Sequence, residues 1–129
     1  MILFIESIFV GIYCYIIYNT INIFTIKNIY YKIFIIGFIK HFLGYYLGLH
    51  NYYCSYDCNN SNSIAISNYL ITDSIGEGFL FLFLYTLIKF NKNNIIFVGI
   101  FIHLLFEILG FHKLFCKYRC INININIDV

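Results

Sequence analysis

Four histidines and four cysteines carry most of the chemistry available to this chain, and they come at one fixed offset. His41, His50, Cys54 and Cys58 recur 62 residues later as His103, His112, Cys116 and Cys120. The frame around them recurs as well. Gly37 to Cys58 reads GFIKHFLGYYLGLHNYYCSYDC, and Gly99 to Cys120 reads GIFIHLLFEILGFHKLFCKYRC. Both follow Gly, three residues, His, six residues, Gly, one residue, His, three residues, Cys, three residues, Cys. Matching apolar residues would mean little in so apolar a chain. Rare residues matching in register point to an internal duplication.

The cysteines admit three chemistries. His50, Cys54 and Cys58 are spaced four apart, as are His112, Cys116 and Cys120, so each triplet forms one stripe on a helix. The favoured reading is structural disulfides among Cys54, Cys58, Cys116 and Cys120, which could join the two halves; four cysteines allow three connectivities. The rival is a zinc site, in which thiolates act alone or with His50 and His112. Thiol–disulfide exchange is the third, but small membrane oxidoreductases carry Cys-x-x-Cys and this chain has none. Cys14 stands alone in an apolar stretch and reads as buried and inert.

A second set of groups lies within apolar runs. His41 and His103 share it with Glu77, Glu107, Asp73 and Glu6. An ionisable group in lipid costs roughly 2.5–3.5 kcal/mol on insertion scales, so such residues mark proton, ion or metal sites by default. The alternative is a polar network that only fixes helix register. At about 100° per residue, Gly37, His41, Gly44 and Gly48 form one stripe. Gly99, His103, Phe106 and Gly110 form another, with Glu107 beside it. These glycine stripes should be the close-packing faces. They predict that His41 and His103 meet near a central axis and share Glu77 or Glu107. On an unbroken helix, His50 and His112 would fall half a turn away and face elsewhere. No cofactor is expected; the alternatives are zinc, or a haem between His41 and His103. No residue can be assigned a catalytic role, and an enzyme is not the expected class.

The elements that must position these groups are membrane spans. The chain has 129 residues, 61% hydrophobic and only 11% charged, about half the charge of a soluble domain. Its formal charge of +2 gives no argument for a nucleic-acid partner; the lipid bilayer is the expected surround. Apolar stretches run from about Ile2 to Phe24, Ile33 to Leu49, Tyr69 to Ile88 and Ile95 to Phe111. A span needs about 20 residues. The second and fourth are short, so the cysteine segments are expected to continue them beyond the membrane. Glu6 to Gly11 (ESIFVG) also resembles Asp73 to Gly78 (DSIGEG).

The predicted fold is an all-α membrane protein, a four-helix transmembrane bundle of two repeated hairpins. Residues 1–62 form the first unit and 63–120 the second, followed by an Ile/Asn tail over 121–129. Repeats with an even number of spans insert in one direction, about an axis along the membrane normal. The termini share a face with the Asn51–Asn68 loop, the cysteine pairs and the sequon Asn59-Asn60-Ser61. That combination suggests a luminal or extracellular face.

The runs DSIGEGFLF and HLLFEILGFHKLFCKYRC resemble uncharacterised multi-spanning membrane proteins encoded by large DNA viruses with AT-rich genomes. The resemblance covers most of the chain and implies no known activity. Two function classes follow from the residues. One is a structural or interaction component of a membrane, working as a homo-oligomer or with other membrane proteins. The other is a small transporter, channel or intramembrane metal or redox protein using the His/Glu cluster.

Overall fold

The computed structural model describes residues 2–54, 69–89 and 91–120, apart from the side chains of Asn51, Tyr53, Tyr118, Arg119 and Cys120. Cys58, the sequon and the tail over 121–129 therefore lie outside the described residues. All regular structure among the described residues is helical: α1 (Ile2–Ile23), α2 (Ile29–Tyr46), α3 (Leu49–Cys54), α4 (Leu70–Ile88), α5 (Ile95–Ile108) and α6 (Phe111–Cys120). Asn28 caps α2 by accepting a hydrogen bond from the Tyr30 amide at 2.9 Å, satisfying a donor the helix leaves open. Asn91, Asn93 and Asn94 build the turn into α5, with the Asn94 side chain accepting from the Asn91 amide at 2.6 Å. The Asn-rich connections are thus turn and cap chemistry.

Four long helices make the body, and their main packing crosses between the two halves of the chain. α1 lies along α5, and α2 along α4. Both seams close on glycine. A β-carbon added at Gly99 would lie 2.9 Å from the Gly11 Cα, and one at Gly37 would lie 3.0 Å from the Gly78 Cα. Without a hydrophobic drive between helices in lipid, such close backbone approach is what lets dispersion hold a bundle together. At Gly37 and Gly99 the glycine stripes are close-packing faces, as the sequence predicted. Each faces the glycine of the first helix of the other half. The equivalent placement extends to Ser7 and Ser74. Both are fully buried, and their hydroxyls donate to Leu3 O and Leu70 O, each at 2.7 Å. That internal bond makes a buried hydroxyl affordable in an apolar seam.

The buried positions of α1 are Ser7, Val10, Gly11, Cys14, Ile17, Tyr18 and Ile21, a repeat of three and four that keeps one face inward. The outward faces stay apolar: Phe4, Phe9, Ile16, Phe79, Phe83, Phe97 and Phe101 are all exposed. A water-soluble surface rarely carries so extended an apolar area. Two helices, α1 and α4, are long and apolar enough to cross a membrane, or three spans are possible if the bent pair α5–α6 counts as one. Four self-sufficient spans were expected. α2 falls short because Lys32 and Lys40 lie within it. α5 falls short because it ends after 14 residues.

What ends it is a glycine elbow. Gly110 has φ +74° and Gly48 has φ +75°, in the left-handed region that glycine adopts freely. The turns match bond for bond. Leu47 N donates to Leu43 O and Leu109 N to Leu105 O, at 2.8 and 2.9 Å. Gly48 N donates to Tyr45 O and Gly110 N to Glu107 O, at 3.0 and 3.1 Å. The axis turns by 68° between α5 and α6. The cysteine segments thus turn aside instead of continuing α2 and α5 along their axes, and α3 and α6 pack against each other.

Candidate functional site: a polar cavity beneath the α3–α6 pair

Beneath those two short helices is a cavity of about 470 Å³ lined from all six helices, within the range of small-ligand sites. Its polar lining comes from Tyr13, Lys40, His41, His50, Glu77, His103 and His112. The elbows bring this set together. His50 comes back to within 4.5 Å of His41, ring centroid to ring centroid, and His112 to within 4.8 Å of His103. The expectation that His50 and His112 face away is therefore overturned. It assumed a straight helix, and the positive-φ glycine turns bend the path between each pair of histidines.

One corner of the cavity is a buried ion triad. Glu77 of α4 pairs through Oε1 with Lys40 Nζ and through Oε2 with His41 Nδ1, the latter at 2.7 Å. The side chains of Lys40 and Glu77 are only 16% and 11% exposed. A charge this deep survives only when paired. Tyr13 donates to the Lys40 carbonyl at 3.2 Å, tying α1 to the same turn of α2. Lys40 was the member that sequence reasoning passed over. The signal was available, because a lysine inside an apolar span requires a counter-ion. With Nδ1 turned to Glu77, His41 Nε2 is buried and has no hydrogen-bond partner among the described residues. His50 also packs against Phe115, with ring centroids 5.5 Å apart. Burial first, and then the neighbouring His41, push its imidazole down to about 4. His50 is accordingly a neutral ring at neutral pH.

The opposite corner lies at the α5–α6 elbow. Glu107 Oε1 meets His112 Nδ1 at 2.5 Å. One nitrogen each of His103 and His112 and one oxygen of Glu107 all lie within 4.8 Å of one another. Glu6 of α1 is near enough to interact electrostatically with both Glu107 and His112. Glu77 bonds His41 and Glu107 bonds His112, and Glu107 also lies close to His103. Asp73 is half-buried on α4 and does not line the cavity.

The roof of the cavity carries sulfur. Cys54 of α3 and Cys116 of α6 come together across the two halves within disulfide reach, their Cα atoms 5.1 Å apart and 62 residues apart in sequence. Both are buried, and both line the cavity. Cys14 is a free cysteine, fully buried in the α1–α5 seam. No family model matches the chain, and neither a curated protein nor a solved structure matches it.

Proposed function

We propose that this chain is a multi-pass membrane protein whose interior cavity binds a small cation. The observation that carries this reading is convergence: five helices direct four imidazoles and Glu77 at one cavity, and His41 Nε2 is left there without a hydrogen-bond partner among the described residues. A polar network that only set helix register would satisfy its own members, because an unmet buried acceptor costs about 1–3 kcal/mol. α2 and α5 then cross the bilayer together with α1 and α4. At 1.5 Å per residue the 18 residues of α2 reach about 27 Å, and its Lys40 is neutralised by Glu77.

The test is elemental analysis and an absorption spectrum of protein purified in detergent, followed by melting in the presence of Zn²⁺ or Co²⁺. Bound transition metal, or a melting temperature raised by either ion, is expected. A haem spectrum would give the cavity a different occupant and overturn the cation reading. A colourless, metal-free protein indifferent to both ions would leave the interior a packing device and overturn the reading.

We also propose that the termini and the α3–α6 pair lie on the luminal or extracellular face. A cysteine pair on the cytoplasmic side would be kept reduced. Alkylation of whole cells without reductant, followed by mass spectrometry under denaturing conditions, should find Cys54 and Cys116 protected and Cys14 modified. Alkylation of all three would remove both the disulfide and the orientation.

A further inference from the structure

We infer that the α5–α6 elbow is a divalent transition-metal site, of the kind zinc fills, with His103, Glu107 and His112 as the protein ligands. The inference rests on the cation reading of the cavity and specifies where the ion sits. Two imidazoles and a carboxylate form a donor set suited to zinc and related first-row ions. Their spacing in sequence, His103-x3-Glu107-x4-His112, would not converge on a straight helix. The positive-φ turn at Gly110 makes it converge. Their ligand atoms already lie within 4.8 Å of one another. Zinc bonds of about 2.0–2.2 Å require ligand atoms closer than that, which small side-chain rotations supply.

The charge balance agrees. Glu6 and Glu107 lie near each other, while Lys40 is engaged by Glu77. A divalent cation held by Glu107 would also answer the negative charge of Glu6, which interacts with it electrostatically.

The other half of the chain supplies an internal contrast. His41 and His50 approach as closely as His103 and His112 do. At the position 62 residues before Glu107, however, stands Tyr45. The first elbow therefore has the two imidazoles without a carboxylate at that position, and Glu77, which reaches it, is engaged by Lys40 and His41. The third ligand is what separates the two elbows, and only the second elbow is assigned a metal. Three protein ligands would leave a fourth coordination position for water or a ligand, and His103 and His112 both line the cavity.

The test uses the full chain in detergent without reductant, so that no cysteine thiolate is released, with Zn²⁺ for stoichiometry and Co²⁺ as the spectroscopic probe. One ion per chain is expected, with the visible bands of four-coordinate Co²⁺. His112→Gln and Glu107→Gln should each weaken binding by more than the roughly 10–100-fold that loss of an outer-shell partner costs. Asp73→Asn, outside the cavity, should bind as the parent does. Melting each variant without metal separates loss of the site from loss of the fold, and Glu107→Gln preserves shape. Binding that survives in both His112→Gln and Glu107→Gln but is lost in His41→Gln or His50→Gln would place the ion at the other elbow. This assignment would then be overturned, with the cation reading intact. No binding of either ion by the parent chain would overturn both.

Discussion

Replacing Glu77 with alanine is expected to cost roughly 3–5 kcal/mol, the range measured when one partner of a buried ion pair is removed. The reason is what remains behind. Lys40 would keep its charge in an interior where its side chain is 16% exposed, with no carboxylate to answer it. His41 would lose the acceptor at Nδ1. At an ordinary stability of about 5–15 kcal/mol, a loss of that size removes much of the fold's margin. The variant should purify poorly or melt far below the parent in the same detergent. Adding Lys40→Met to Glu77→Ala should recover most of the loss, since removing both charges also removes the uncompensated one. Melting curves for the parent, both singles and the double variant decide it. A double variant as damaged as the Glu77 single would mean that the lysine is not the group Glu77 neutralises.

The second large effect belongs to the glycine seams. A β-carbon at Gly37 would lie 2.6 Å from the Glu77 carbonyl oxygen, and one at Gly11 would lie 2.6 Å from the Ile96 carbonyl oxygen. Both obstacles are backbone, so a rotamer change cannot relieve them. The paired helices must separate. Gly37→Ala and Gly11→Ala should each cost about 1–3 kcal/mol, the usual penalty for overfilling a packed interior. Leucine at either site should cost more. Gly76 on α4 has nothing within 4 Å of an added β-carbon, and alanine there should be neutral or slightly stabilising, because it favours the helix. Thermal melting of the three alanine variants checks the contrast. Equal behaviour at Gly37 and Gly76 would rule out the close α2–α4 approach.

Gly78 shows that the seam is not uniform. Its added β-carbon would meet the Phe34 ring at 2.7 Å and the Phe34 carbonyl at 3.0 Å. The ring can swing aside more readily than the carbonyl opposing Gly37, so alanine at Gly78 falls between the two cases.

The residues alone determined the helical nature of the chain, the approximate bounds of its apolar helices and which side chains could do chemistry. Long apolar runs without proline leave little else, since a backbone in lipid must satisfy its own hydrogen bonds. The matched offsets of His41 with His103 and His50 with His112 were legible because rare residues in register are informative. Glu77 as a candidate partner for His41 was legible because both are ionisable groups inside apolar runs.

What only the tertiary structure decided was direction and partnership. Periodicity describes a straight helix, and it set His50 and His112 facing away. Two backbone angles, at Gly48 and Gly110, turned them inward, and a pattern of side chains carries no record of φ. The pairing of α1 with α5 and of α2 with α4 was hidden for a related reason. A glycine stripe says that a helix approaches something closely, but Gly37 meeting Gly78, and Gly99 meeting Gly11, depends on how all four helices share one volume. The same packing assigned Glu77 to Lys40 and His41 and Glu107 to His112. Two carboxylates with several candidate partners have no preference that sequence distance can rank. The choice belongs to whichever side chains the bundle brings within hydrogen-bonding reach.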